Sequence, residues 1–351
     1  MELLYDTGKL VRIIEGFLQD LGKNYGIPEW VLTLGIMVVV AVIIAGFIAV
    51  NTLILVLAER KVSAFIQDRL GPMRVGPWGI LQTVADALKL LQKEDITPKK
   101  ADRLIFFLSP IIVFAPAVMA YVAISWSPKI RVADINLGLL YIFAAGSLGT
   151  LGIILAGWSS ANKWSLLGGM RSAAQIISYE VALILSVIGV IMLSGSLNLE
   201  NLISCQKDCW YIVYQPLGFL LFLVSAIAET NRAPFDIVEA EQELVGGFHT
   251  EYSAMKFAMF FLGEYANVFI ASAICTTLFL GGWQGIPGLP VVVPPIVWFL
   301  AKCYLIVFVI MWIRWTYPRV RVDQLMGFSW KFLIPLGFLN IGLTGLVMSW
   351  K

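Results

Sequence analysis

Apolar runs about twenty residues long, parted by polar stretches, set the rhythm of this chain. A helix needs about 20 apolar residues to cross the hydrocarbon of a bilayer. Runs of that kind fall near residues 31–58, 104–126, 139–158, 176–193, 212–228, 257–280, 292–313 and 332–350. The pattern predicts an all-α, polytopic membrane protein with eight transmembrane helices. Residues 1–30 follow a different period. Leu10, Ile13, Ile14, Phe17 and Leu21 recur at helical spacing, with Arg12, Glu15, Gln19 and Asp20 on the opposite side. An N-terminal amphipathic extension lying on the membrane surface or on a partner is expected there. No short apolar stretch followed by a small-residue cleavage site marks a removable signal peptide. The organisation expected is an extension at 1–30 and a membrane domain at 31–351. Three of its loops stand out: loop 1 at 59–103, loop 5 at 229–255 and loop 7 at 314–331.

Composition sharpens this reading. Of 351 residues, 59% are apolar and 14% charged, against about 45–50% and 25% in soluble domains. Mean hydropathy is +0.83. An ordinary soluble enzyme is excluded, and a net charge of only +2 leaves no electrostatic case for a nucleic-acid partner. The single histidine and four cysteines show no C-x-x-C or H-x-x-x-H spacing, so no metal site is expected in this chain. Seventeen of the 25 lysines and arginines lie in odd-numbered loops, which by the positive-inside rule face the cytoplasm. Cys205 and Cys209 then fall in an outward loop where a disulfide is permitted, although two unpaired thiols is the preferred reading.

The loops carry more information than a plain anchor requires. In loop 1, Gly71-Pro72 and Gly76-Pro77 interrupt helix formation. Beyond them Leu81, Val84, Leu88 and Leu91 form an apolar stripe, and Gln82, Asp86, Lys89 and Lys93 a polar one. Two readings stand: an interfacial helix with snorkelling lysines, or a helix that docks a partner or builds a pocket. Loop 5 sets Glu229, Asp236, Glu239, Glu241, Glu243 and Glu251 against one base, Arg232. Glu239 and Glu243 would share a helix face, and partial burial would leave at least one of them protonated near neutral pH. Such carboxylates suit proton relay; a solvated acidic loop is the alternative. Glu180, Glu264 and Lys302 sit inside expected spans, where charge costs about 2.5–3.5 kcal/mol on insertion scales. A functional role is the default reading for them, and a structural Glu–Lys pair the alternative.

Three segments together carry a family resemblance. They are Glu59-Arg60-Lys61 running on through RLGPMRVGPWGILQTVADALKLLQKED, then ETNRAPFDIVEAEQELVGGFHTEYS, then IRWTYPRVRVDQLMGFSWK at 313–331. From about residue 31 to its end, the chain resembles one family of membrane subunits of proton-pumping NADH:quinone oxidoreductase, respiratory complex I. In bacteria that family is called the H subunit, and its members border the quinone chamber. The resemblance implies that Glu59, Arg60, Arg69, Asp86, Lys89, Arg232, Arg314 and Arg319 lie about that chamber. It implies a carboxylate path through Glu180, Glu229, Asp236, Glu239, Glu241 and Glu243 toward antiporter-like membrane subunits. It further implies quinone as substrate, with FMN and iron–sulfur clusters in hydrophilic partner subunits, lipids around the spans, and a bacterial inner (plasma) membrane location. By this resemblance the chain works as part of an enzyme and is inactive alone. A cognate subunit of a membrane-bound hydrogenase or other-donor complex is the nearest rival. A secondary transporter would account for the intramembrane charges, but the chain shows no paired broken helices in two halves and has long loops on one side; a structural anchor explains the spans but not the acidic loop.

Overall fold

The computed structural model describes residues 28–237, 241–287 and 293–349, with the side chains of residues 29, 241 and 242 outside that description. The expected helix within residues 1–30 therefore lies outside it, apart from its last positions. Among the described residues the architecture is all-helical, and seven helices are long and apolar enough to cross a membrane. In chain order the first is α1 (Glu29–Ile66), followed by α2 (Gln82–Gln92), α3 (Arg103–Ala123), α4 (Gly138–Ser159) and α5 (Lys163–Ser194). Short helices α6 (Leu199–Ser204) and α7 (Tyr211–Tyr214) precede α8 (Pro216–Glu229), and α9 (Glu241–Leu244) lies in the acidic loop. Then come α10 (Ala254–Phe279), α11 (Pro295–Thr316), α12 (Val322–Phe328) and α13 (Ile334–Ser349), the last two joined by one π turn at Ser329–Leu333.

The expected count of eight spans is the first difference. The run at 212–228 is cut by Pro216, which has no N–H to donate and so begins a helix rather than continuing one. Gln215 before it leaves the helical conformation, with φ −130° and ψ 53°, and α8 keeps 14 residues, about 21 Å at 1.5 Å per residue. Other boundaries move because apolar content, not helix propensity, set the expectation. Glu59 and Arg60 belong to α1, which continues to Ile66 since Glu, Arg, Lys and Ala are good helix formers. Loop 1 thus begins after Ile66 rather than at 59. The fourth span starts 13 residues before the expected 176, at Lys163, where the Asn162 side chain accepts the Trp164 N–H. Glu180 consequently lies near the middle of α5. Loop 7 shrinks to the few residues between Thr316 and Val322, and Arg314 stands in the last turn of α11.

α5 packs against α4, α8 and α13, and α10 packs against α3, α11 and α1. Their shared core is aromatic. Phe47, Tyr121, Trp126 and Phe269 lie with ring centroids 5.1–6.0 Å apart, the separations at which edge and offset-stacked pairs are favourable. By contrast Leu34, Met37, Val38, Val42 and Ile43 of α1 stand exposed along one helix. An apolar surface of this extent is unsuited to water and suited to lipid.

Candidate functional site

Four side chains from four separate segments converge at one end of the bundle. Glu59, near the end of α1, accepts hydrogen bonds from Arg232 Nη1 at 3.1 and 3.2 Å and from the Tyr265 hydroxyl of α10 at 2.7 Å. Arg314 of α11 also pairs with it. The Arg232 guanidinium lies over the Tyr265 ring, 4.3 Å from its centroid. Side chains of Glu59 and Arg232 keep 7% and 8% of their surface. Ions so sequestered are tolerable only when paired and hydrogen-bonded. Burial pushes the Arg232 pKa down, but the charges of Glu59, Tyr265 and Glu264 more than offset it and hold it above the usual range. Arg232 Nη2 is buried with no hydrogen-bond partner among the described residues. The cluster can therefore offer a directed cationic donor to an oxygen on a substrate.

A second group lies beside the first. Arg60 Nη1 and Asp86 Oδ2 are 2.6 Å apart, Lys89 stands 3.7 Å from Asp86, and Lys61 Nζ donates to the Trp78 carbonyl at 2.7 Å. Burial raises the Asp86 pKa, yet the Arg60 hydrogen bond and charge, with help from Gln82 and Lys89, bring it below the usual range. The apolar stripe of α2, Leu81, Val84, Leu88 and Leu91, faces away from this chain's own core, each residue being exposed. Arg69 does not join either group; it bonds Gln67 at 2.6 Å.

The acidic loop is split differently from the sequence expectation. Glu243 is exposed and pairs with Arg171 at 2.7 Å, with Arg319 at 3.8 Å. The Arg171 hydrogen bond holds its carboxyl below the usual range. Glu239 lies outside the described residues, as does the side chain of Glu241. Glu251 is engaged by Asn162 at 2.6 Å. Asp236 lies near enough to His249 to act on it electrostatically.

Glu229 borders a cavity of about 80 Å³ together with Thr150, Thr230, Asn267 and apolar residues of α3, α4, α5 and α10. That space is enough for several waters. Glu229 also feels the charge of Glu180, which hydrogen-bonds the Ser147 hydroxyl. Glu264 instead lines a separate opening with His249, Phe257, Phe260 and Phe261. Among the described residues Lys302 pairs with no glutamate. Its ammonium donates to the carbonyls of Leu280, Gly282 and Gln284 at 2.6, 3.1 and 2.6 Å, closing the end of α10. The residues that sequence reasoning missed are Tyr265, Ser147 and Arg171. A tyrosine one position after Glu264 was the available signal for the first; the other two had none.

Cys205, Cys209, Cys275 and Cys303 are free thiols. Among the described residues no three His, Cys, Asp or Glu side chains gather as a metal site.

Seven long apolar helices with a buried carboxylate–guanidinium cluster at one end define a multi-pass membrane protein whose polar groups are gathered for work, not only for anchoring. The family model described as NADH dehydrogenase matches residues 38–345. The NADH-quinone oxidoreductase H subunit of Anoxybacillus flavithermus is 52% identical over 324 residues, covering 91% of this chain and 96% of the relative. The H subunit of Geobacillus kaustophilus is 53% identical over 296 residues (84% and 89%), and that of Dehalococcoides mccartyi 49% over 308 residues (88% and 86%). The chain belongs to the family of NADH-quinone oxidoreductase H subunits.

Proposed function

We propose that this chain is the membrane subunit of an NADH:quinone oxidoreductase that forms much of the quinone chamber and couples quinone reduction to proton translocation. The observation that carries this reading is the buried Glu59–Arg232–Arg314–Tyr265 cluster on the scaffold of this family. Two electrons delivered to a quinone leave negative charge on its oxygens, and in a dry site that charge must be met by cations or protons. Arg232 and Arg314 supply the first, with Arg232 Nη2 as a free donor for a quinone oxygen. Arg60, Asp86 and Lys89 form the wall nearer the surface, and the exposed stripe of α2 faces the quinone tail or a neighbouring subunit. Arg69 and Arg319 complete the basic border.

Charge developing on the headgroup alters the field at nearby carboxylates and thereby their proton affinity. The relay proposed runs through Asp236, Glu239, Glu241, Glu243, Glu229 and Glu180, with waters in the cavity beside Glu229. The paired, exposed Glu243 also serves as an electrostatic anchor of loop 5.

The remaining assignments follow the same reading. With α7 and α8 acting as one short span, residues 31–351 make an eight-helix membrane domain, the odd loops facing the cytoplasm of a bacterial inner membrane, with residues 1–30 as an extension. FMN and iron–sulfur clusters belong to hydrophilic partner subunits, and antiporter-like subunits and lipids flank the spans. The test is to purify the tagged chain in mild detergent. Co-purification of a large flavin-containing assembly with inhibitor-sensitive NADH:quinone reduction is expected. A stable lone chain, or an assembly with another donor module, would overturn the assignment.

A further inference from the structure

We propose that the surface groove where α4 ends and α3 and α5 begin is a binding site for the phosphate headgroup of an anionic phospholipid. The groove has a volume of about 540 Å³ and gathers Lys99, Lys100 and Lys163 around Asn162 and Glu251. Its single carboxylate is already engaged, because Asn162 Nδ2 donates to Glu251 Oε1 at 2.6 Å. None of the three lysines forms an ion pair among the described residues, so against the one carboxylate the groove keeps an excess of positive charge (three lysines less one glutamate, net +2).

The walls are fixed before any ligand arrives. The Asp102 N–H donates to the Ser159 carbonyl at 3.1 Å, Ser159 bonds the Tyr252 hydroxyl at 3.2 Å, and the Ser165 hydroxyl donates to the Phe248 carbonyl at 2.8 Å. These bonds tie the lysine-bearing turns to the bundle. Ala161, between the helices, is held at φ 51°, which keeps the turn tight.

The surroundings say which phosphate. Trp158, in the last turn of α4, is 67% exposed and Trp164, in the first turn of α5, is 43% exposed; Lys163 Nζ stands 5.1 Å from the Trp164 ring. Tryptophans at helix ends mark the level of lipid headgroups. Further along the spans, Leu104 and Phe107 on α3 and Leu151 on α4 are exposed, giving acyl chains an apolar track. Basic pockets between spans on the lysine-rich side are suited to anionic headgroups. A soluble phosphate would use the lysines and leave the tryptophans and the track without purpose. The amphiphilic occupant matches the whole surface.

The test uses the intact complex in vesicles containing photoreactive phosphatidylglycerol or photoreactive phosphatidylcholine, with adducts mapped by peptide. Adducts of the anionic lipid on residues 98–107 and 158–167 should exceed those of the zwitterionic one about fivefold or more. They should fall by a similar factor in the Lys99→Gln/Lys100→Gln/Lys163→Gln variant and return with arginine at all three positions. Where the glutamine variant fails to assemble, the comparison of the two lipids on the unaltered complex still decides. Equal labelling by both lipids would overturn the proposal. So would displacement of the anionic lipid by millimolar inorganic phosphate, or a chemical cross-link from Lys100 to another subunit with no lipid adduct.

Discussion

Glu59 and Arg232, 173 residues apart in sequence, meet at 3.1 Å with neither side chain more than 8% exposed. Removing Glu59 strands Arg232, and a stranded buried charge costs about 3–5 kcal/mol. Glu59→Gln should therefore destabilise the assembled complex by that order, and Arg232→Met by less, because Glu59 keeps Arg314 and Tyr265. The Glu59→Gln/Arg232→Met double variant should lose less than the sum of the single losses. Thermal unfolding of the detergent-solubilised complexes measures both; additive losses would mean that the pair is not energetically coupled.

Lys302 closes three carbonyls at the end of α10. Its replacement by methionine orphans them, at about 1–3 kcal/mol for a buried unsatisfied group. Lys302→Met should lower the unfolding midpoint of the complex while the quinone KM stays at its original value. A raised KM with unchanged stability would favour a functional role for Lys302 over this structural one.

His249 is the chain's one histidine, and burial pushes its pKa down to about 4, against the opposing charge of Asp236. The folded state thus favours the neutral ring. Its stabilising contribution is complete above the unfolded value of 6.5 and is lost as pH falls toward 4. Hydrogen-exchange protection of the segment around Gly247–His249, taken relative to intrinsic exchange rates, should fall as pH drops through that window and hold steady above pH 7. A flat profile through the window would show that the ring is already charged or unburied.

Much of this organisation was legible in residue order, and the failures have physical causes. Hydropathy located the spans because lipid demands apolar length. It misplaced the ends of α1 and α5 because polar helix formers and the Asn162 cap extend a helix beyond its apolar part. It counted 212–228 as one long helix because hydropathy does not register the break at Pro216. The carboxylates and arginines of the site were visible as charges out of place. Which of them meet was not, since Glu59, Arg232, Tyr265 and Arg314 are joined only by tertiary packing. Loop 1 shows the same limit: its Gly-Pro breaks were evident, but Gly79 is needed because its φ is +75° and a Cβ there would lie 2.0 Å from the Pro72 carbonyl oxygen.

The relay makes a separable expectation. Glu229→Gln and Glu180→Gln should each abolish proton translocation, read by quenching of a pH-sensitive dye in sealed vesicles. Full pumping in both variants would contradict it, whatever happens to quinone reduction.

The most direct measurement is inhibitor-sensitive NADH:quinone reduction by the assembled Glu59→Gln complex, alongside NADH oxidation by an artificial acceptor as a control on the partner subunits. Loss of one ionic anchor for Arg232 and Arg314, about 1.4 kcal/mol or more per factor of ten, should reduce quinone turnover at least about tenfold while the control reaction is retained. An assembled variant that reduces quinone at the original rate would contradict the placement of the chamber at this cluster.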